Sequence, residues 1–191
     1  MSLDDARRWN ARYQTGMRDS FEHPRPFLVE HAHLLPSSGL ALDVAMGLGG
    51  NADFLLQHGL RVIGVDISDV AIRISASRLP GLMPVVADLS RFYLPPDSFD
   101  VIVNFLYLQR DLWAFYSSAL RPGGILILET LTRDMLTIHP EIDPHFLLKP
   151  RELAHAFPSL QTLVYREGWQ ESLTTHPRAV ASLIAQRPKD Y

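Results

Sequence analysis

The sequence predicts an α/β fold: a three-layer sandwich with a seven-stranded, mostly parallel sheet and an antiparallel C-terminal strand pair. Three observations predict it. Short apolar runs alternate with amphipathic stretches from residue 40 onward. The runs are apolar throughout, as strands buried on both faces require. The first of them ends in a glycine cluster, the pattern of a strand-to-helix turn beside a ligand crevice.

The elements follow in order. The Pro24–Pro36 stretch has room for one short helix. Leu40–Val44 reads as the first strand. Asn51–His58 reads as a helix, with Ala52, Leu55 and Leu56 at helical spacing. Arg61–Ile67 is a β-branched second strand. Ser68 or Asp69 then caps an amphipathic helix to Arg78. Pro84–Leu89 and Phe99–Tyr107 read as strands three and four. Asp111–Leu120 reads as a helix stopped by the breaker Arg121-Pro122-Gly123-Gly124, and Ile125–Thr130 as strand five. Pro140–Pro150 is expected to be irregular and Arg151–Phe157 helical. Leu160–Trp169 and Ala179–Arg187 are the last strands, and the segment between them is too short for a crossover helix. They should therefore pair antiparallel.

Composition narrows the function. The chain has 191 residues, 47% hydrophobic and 20% charged, which suits one domain with a complete core. The expected organisation is a single domain over 1–191, with 1–39 as an N-terminal lid and 40–191 as the core. The absence of cysteine removes thiolate metal sites, disulfides and cysteine nucleophiles. Net charge is −3 with no basic run, which argues against a nucleic-acid partner. The first residues are charged, without the apolar core of a secretory signal, and no apolar run is long enough for a bilayer. The expectation is a cytoplasmic protein with no membrane partner, monomeric or homodimeric. Sixteen of the 18 basic residues are arginine. Coding bias accounts for this first, and a preference for anionic ligands second.

The informative segment is Ala41-Leu42-Asp43-Val44-Ala45-Met46-Gly47-Leu48-Gly49-Gly50-Asn51-Ala52. Its Gly47, Gly49 and Ala52 also fit the dinucleotide pattern, with Asp66 at the expected distance. NAD is therefore a live alternative. Asp43 argues for another ligand, because a carboxylate just before the glycines disfavours a pyrophosphate and suits a cationic amine. Acidic residues recur at strand ends, Asp43, Asp66 and Asp88, spaced 23 and 22 residues apart. At the carboxyl ends of an open sheet they share one crevice. A ligand with an amine, a ribose diol and an adenine amino group would suit three carboxylates there.

These residues resemble the class I S-adenosylmethionine-dependent methyltransferases, a Rossmann-like family. ALDVAMGLGG resembles the family's first motif, VIGVDIS the second, VVADLS the third, FDVIVNFLYL the fourth and LRPGGILILET the fifth. The resemblance covers roughly residues 7–187. It implies S-adenosyl-L-methionine as cofactor and S-adenosyl-L-homocysteine as product. It implies that Asp66 holds the ribose hydroxyls and that Asp88 lies near the adenine amino group. Asp43, Ala45, Gly47, Gly49, Ile67, Leu89, Asn104 and Phe105 complete the cofactor residues so implied. Arg7–Tyr13 is similar to the opening of small tellurite-resistance and thiopurine methyltransferases, which implies roles for Trp9, Arg12 and Tyr13 in closing over the cofactor. Ala45 departs from the family's first glycine. The position after strand four reads Asn104-Phe105-Leu106-Tyr107, without a macromolecular-substrate signature.

Each candidate has a plainer reading. Asp43 could bond backbone amides in the turn, Asp66 could cap a helix, and Asp88-Leu89-Ser90 could be ordinary turn chemistry. Trp9 and Tyr13, at i and i+4, could simply pack. His31 and His33 do not share a helical face, and no metal-ligand spacing occurs, so no metal is expected. Arg110 and Arg133 follow strands four and five as surface, ion-pairing or anion-binding residues. Tyr107, Glu129, His139 and His145 are the acid–base candidates by position. The acceptor pocket should come from residues 1–36 and 131–150. The leading reading is a methyltransferase acting on a small molecule, since little chain is left for a separate recognition domain. An NAD-dependent oxidoreductase and a non-catalytic S-adenosylmethionine-binding module are the alternatives.

Overall fold

Seven apolar runs pair into one sheet in the computed structural model, which describes residues 3–15, 22–170 and 177–189. The strands are β1 (Leu40–Val44), β2 (Arg61–Asp66), β3 (Leu82–Val86), β4 (Phe99–Phe105), β5 (Leu120–Leu131), β6 (Gln161–Gln170) and β7 (Arg178–Gln186). Their order is β3-β2-β1-β4-β5-β7-β6. The first five pair in parallel, and β7 runs antiparallel to both neighbours. The strand order reverses between β1 and β4, which opens a crevice at their carboxyl ends.

The helices are α1 (Leu3–Gln14), α2 (Pro26–Glu30), α3 (Gly50–Gln57), α4 (Asp69–Arg78) and α5 (Trp113–Ala119). Side chains alternate across the sheet and build two cores. Leu42, Ile102, Leu126 and Leu128 pack with Tyr116 and Ala119 of α5. Ala41, Val101, Val103 and Ile127 pack with Leu55 of α3 and Ile72 of α4, and with Phe27 and Leu28 of α2. Three layers result. No helix among the described residues is long and apolar enough to cross a membrane.

Ser68 caps α4, its hydroxyl accepting the Ala71 amide at 3.1 Å. Other boundaries differ from the sequence reading. β3 ends at Val86 because Asp88 caps a tight turn instead, its carboxylate accepting the Ser90 amide at 2.9 Å. β4 stops at Phe105, where Leu106 turns left-handed at φ 57°. The helix expected from Asp111 opens as a 3-10 turn, Arg110–Leu112, before α5 begins. The residues Arg121–Gly124 do end α5's run, but they do not break β5. Gly123 and Gly124 exchange backbone hydrogen bonds with Arg187, both 2.9 Å, so the chain stays extended. A Cβ on Gly124 would lie 2.8 Å from the Arg121 carbonyl, so glycine is needed at this bulge. The helix expected at Arg151–Phe157 is only a 3-10 turn, Leu153–His155. Arg151 sits left-handed at φ 57° and gives its amide to Glu167, which prevents helix entry.

Tyr116 is fully buried, and its hydroxyl accepts from Asn104 Nδ2 at 2.9 Å. Tyr116→Phe keeps the volume but strands that amide donor. Urea denaturation should show a loss of about 1–3 kcal/mol. A loss near zero would mean that the amide finds another acceptor.

Candidate active site

The site is built where β1 and β2 end. Beyond Val44 the chain turns through Ala45, Met46 and Gly47, with Gly47 at φ 56°. A Cβ at Gly47 would lie 2.8 Å from the Tyr13 hydroxyl, so a side chain there would collide with α1. Asp66 ties the loop to the next turn. Its carboxylate accepts the Gly47 amide at 2.8 Å and the Ser68 amide at 2.8 Å. Burial raises the Asp66 pKa, and those amides work against the rise.

Asp43 is 1% exposed, and its Oδ2 has no hydrogen-bond partner among the described residues. Burial, and then the neighbouring Asp66 charge, pushes its pKa up to about 8. Two carboxylates therefore share a poorly solvated corner.

Helix α1 forms one wall. It is pinned by Asn10, which the sequence does not mark. Asn10 Nδ2 donates to Asp69 at 2.7 Å, and its Oδ1 accepts the Ser68 hydroxyl at 2.6 Å. Trp9 and Tyr13 stack at 5.6 Å, and the Arg12 guanidinium lies 5.3 Å over the Trp9 ring. Burial and Asp66 keep the Tyr13 hydroxyl protonated.

A cavity of about 310 Å³ lies between α1, the glycine loop and the ends of β4 and β5. Of the expected site residues it is lined by Trp9, Arg12, Tyr13, Ala45, Gly47, Asp66, Ile67, Phe105 and Tyr107. Asp43, Gly49, Asp88, Leu89 and Asn104 are not in the lining. Asp43 and Asn104 are buried behind it, and Leu89 belongs to the core under α5. Asp88 caps its own turn.

The acid–base candidates separate likewise. His139 and His145 are not in the lining. His139 pairs with Glu141 at 3.0 Å, and the backbone at His145 is held by Arg110. Arg110 itself is ion-paired with Glu152 at 2.5 Å. Glu129 is buried and accepts the Ser182 hydroxyl at 2.6 Å. Tyr107 does line the cavity, but burial and Asp88 raise its pKa, and its hydroxyl donates to Gln109. At neutral pH it is a hydrogen-bond donor, not a base.

The lining also holds residues that the sequence did not single out: Met46, Asn51, His23, Arg25, Leu131, Met135 and Arg178. Four of these fall within the expected acceptor segments. Arg178 does not, and comes from β7 across the sheet.

Two outcomes check this geometry. An acid whose folded pKa is raised binds its proton more tightly folded than unfolded. Its ionisation therefore costs stability as pH rises from the ordinary carboxylate range toward about 8. Asp43→Asn should lose less stability than the wild type between pH 5 and pH 8 in urea melts, and equal slopes would clear Asp43 of the effect. Asn10→Ala should speed amide exchange in α1 by about tenfold or more while leaving β1 protected. Unchanged exchange in α1 would show that other contacts hold the helix.

Known proteins share this fold and part of this sequence. Residues 41–124 match the family model for a methyltransferase domain. A probable S-adenosylmethionine-dependent methyltransferase of Mycolicibacterium smegmatis is 32% identical over 108 residues, covering 53% of this chain and 41% of that protein. The chain thus matches less than half the length of that relative. A crystal structure of an S-adenosylmethionine-dependent methyltransferase from Methanosarcina mazei superposes with a TM-score of 0.70 at 20% identity, over 88% of this chain and 100% of the other. Geranyl diphosphate C-methyltransferase from Streptomyces coelicolor, solved with Mg2+, geranyl diphosphate and S-adenosyl-L-homocysteine, gives 0.70 at 17% identity over 96% of each chain. At these identities the structures attest the fold. With the domain match over residues 41–124, the chain carries a domain similar to that of S-adenosylmethionine-dependent methyltransferases.

Proposed function

We propose that the chain transfers a methyl group from S-adenosyl-L-methionine to a small-molecule acceptor, leaving S-adenosyl-L-homocysteine, with 1–39 and 40–191 acting as one domain. One observation carries the reading. Two carboxylates are buried at the glycine loop, and Asp43 Oδ2 has no partner among the described residues. Such a corner favours a cationic ligand over an anionic one. Asp43 sits behind the cavity wall, so it favours a bound amino group through space, the cation in turn favouring its ionised form. A ribose diol can use the acceptor capacity that Asp66 keeps after taking its backbone amides.

The same geometry argues against a dinucleotide. The Gly47 amide, which would face a pyrophosphate, is given to Asp66. At the N-terminus of α3, a Cβ on Gly50 would strike the His23 carbonyl oxygen, so the His23 backbone packs directly against the helix start.

The cofactor supplies an electrophilic methyl on a sulfonium. The chain's residues supply position and dryness. Trp9 and Tyr13 close one side of the cavity, and Met46 and Phe105 form apolar wall. Holding two reactants in line accounts for about 7–11 kcal/mol of barrier in well-aligned systems. The aromatic faces of Trp9, Tyr13, Phe105 and Tyr107 can favour a cation by about 0.5–2 kcal/mol each. His23 is the one imidazole in the lining among the described residues, so an acceptor that must lose a proton has a candidate base there. A cavity of about 310 Å³ suits a small acceptor better than a macromolecular one.

Calorimetric titration of the full chain tests the proposal. S-adenosyl-L-homocysteine at about 100 times its Kd should stabilise the fold by about 2.7 kcal/mol. Asp66→Ala should abolish binding, and Tyr107→Phe should keep most of the turnover. Binding of NAD in place of the sulfonium cofactor would overturn the reading. Binding without methyl transfer across an acceptor panel would favour the non-catalytic module.

A further inference from the structure

We infer that the acceptor is an anion, and that Arg25 and Arg178 bind its carboxylate or phosphate group. The inference rests on the methyltransferase reading above and adds the charge class of the acceptor.

Both arginines line the cavity. Both are partly buried, and neither has an ion pair or a side-chain hydrogen bond among the described residues. Four other arginines of the fold are ion-paired instead. Arg110 is paired with Glu152, Arg121 with Asp100, Arg166 with Glu30 and Arg187 with Asp97. Guanidinium groups drawn out of water normally find a carboxylate or phosphate, often in a two-pronged geometry.

The two groups also oppose each other. Burial lowers the Arg25 pKa, and the Arg178 charge lowers it further. The acid that feels both charges is Glu129, which forms no ion pair with either among the described residues and accepts from Ser182 instead. Even a fully ionised Glu129 would leave one positive charge over. An incoming anion removes the repulsion and supplies the missing acceptors.

The backbone holds the pair ready. Arg25 lies between Pro24 and Pro26, and its amide donates to Asn51 Oδ1 at 2.9 Å. Arg178 opens β7, whose pairing with β5 runs through Val180 and Leu131. Neither guanidinium depends on a floppy carrier, so little ordering is needed on binding. Leu131, Met135 and Phe105 make the neighbouring wall apolar. The acceptor is therefore a small apolar body with an anionic head.

Matched probes test this on the full chain saturated with S-adenosyl-L-homocysteine, in low-chloride buffer. The pairs are benzoate against benzamide and phenyl phosphate against phenol, and the stronger pair identifies the head group. The wild type should bind at least one anion about tenfold or more tightly than its neutral partner. The Arg25→Gln/Arg178→Gln double variant should lose that preference to about twofold or less while keeping its affinity for S-adenosyl-L-homocysteine. The Arg25→Lys/Arg178→Lys variant should retain part of it. Three results would overturn the inference: no preference or no anion binding in the wild type, a preference that survives in the glutamine variant, or a parallel loss of S-adenosyl-L-homocysteine affinity. The last would assign the pair to the cofactor's own carboxylate. Wild-type protein that binds the anions but not S-adenosyl-L-homocysteine would uphold the anion site and overturn the methyltransferase reading alone.

Discussion

Two carboxylates buried together at the ends of β1 and β2 set the terms for the rest of the molecule. Removing such ions from water costs several kcal/mol each, even after relaxation. For Asp66 the fold offsets this with the Gly47 and Ser68 amides. For Asp43 it offers little, and the penalty shows as a strongly raised pKa. Parallel pairing enforces the arrangement, because the register that sets Asp43 beside Gly64 and Val44 beside Val65 carries both strand ends to one edge. Gly64 belongs to the same constraint. A Cβ there would strike the Met46 sulfur, so the residue opposite Asp43 must be small for Met46 to reach the cavity wall. Leucine, isoleucine and valine packed on both faces of the sheet outweigh the cost.

The acids and the arginines divide the cavity into two chemistries. The glycine-loop side contributes the Asp66 carboxylate and a backbone amide already spent on it. The α2 side and β7 contribute Arg25 and Arg178. A single cavity with both signs of charge does not suit two anions or two cations. It suits a cationic molecule and an anionic one held side by side, which is the requirement for transferring a group from a sulfonium to an anionic acceptor. Electrostatic complementarity of this kind fixes orientation more than it adds affinity, and orientation is what an in-line displacement needs.

Much of this was legible in the sequence wherever the cause is local. Leu40–Val44, Arg61–Asp66 and Phe99–Phe105 are strands because they are apolar throughout, and Ser68 is a cap because its hydroxyl meets an amide three residues on. The antiparallel end followed from a connection too short for a helix. What escaped has causes far away in the chain. Pro122-Gly123-Gly124 looks like a stop, yet it stays extended because Arg187 supplies its partners. Arg151 cannot start a helix because Glu167 holds its amide. Ala45, Gly47 and Asp66 sit on a motif, so spacing was enough to bring them to the cavity lining. Arg178 reaches the cavity only through β7, and Asn10 matters only because Ser68 and Asp69 lie beneath it. His139 and His145 are chemically suitable, but the chain places them outside the cavity lining, which spacing alone does not reveal.

Helix α1 carries the argument one step further. It has 12 residues and is mostly polar, a length at which an isolated helix is marginal in water. Its internal supports are exposed pairs, Arg7 with Asp4 and Arg8 with Asp5, of the kind worth little. Its order must therefore come from docking, through Asn10 on the start of α4 and Tyr13 against Gly47 and Leu48. The surfaces it docks on are the glycine loop and the cap of α4, which Asp66 ties together by accepting an amide from each. One carboxylate thus shapes the loop, aligns the cap and prepares the seat for the wall above it. Anything that changes the charge or the bonding of Asp66 is felt at α1. The formation of the cavity and the state of its central acid are one equilibrium, not two.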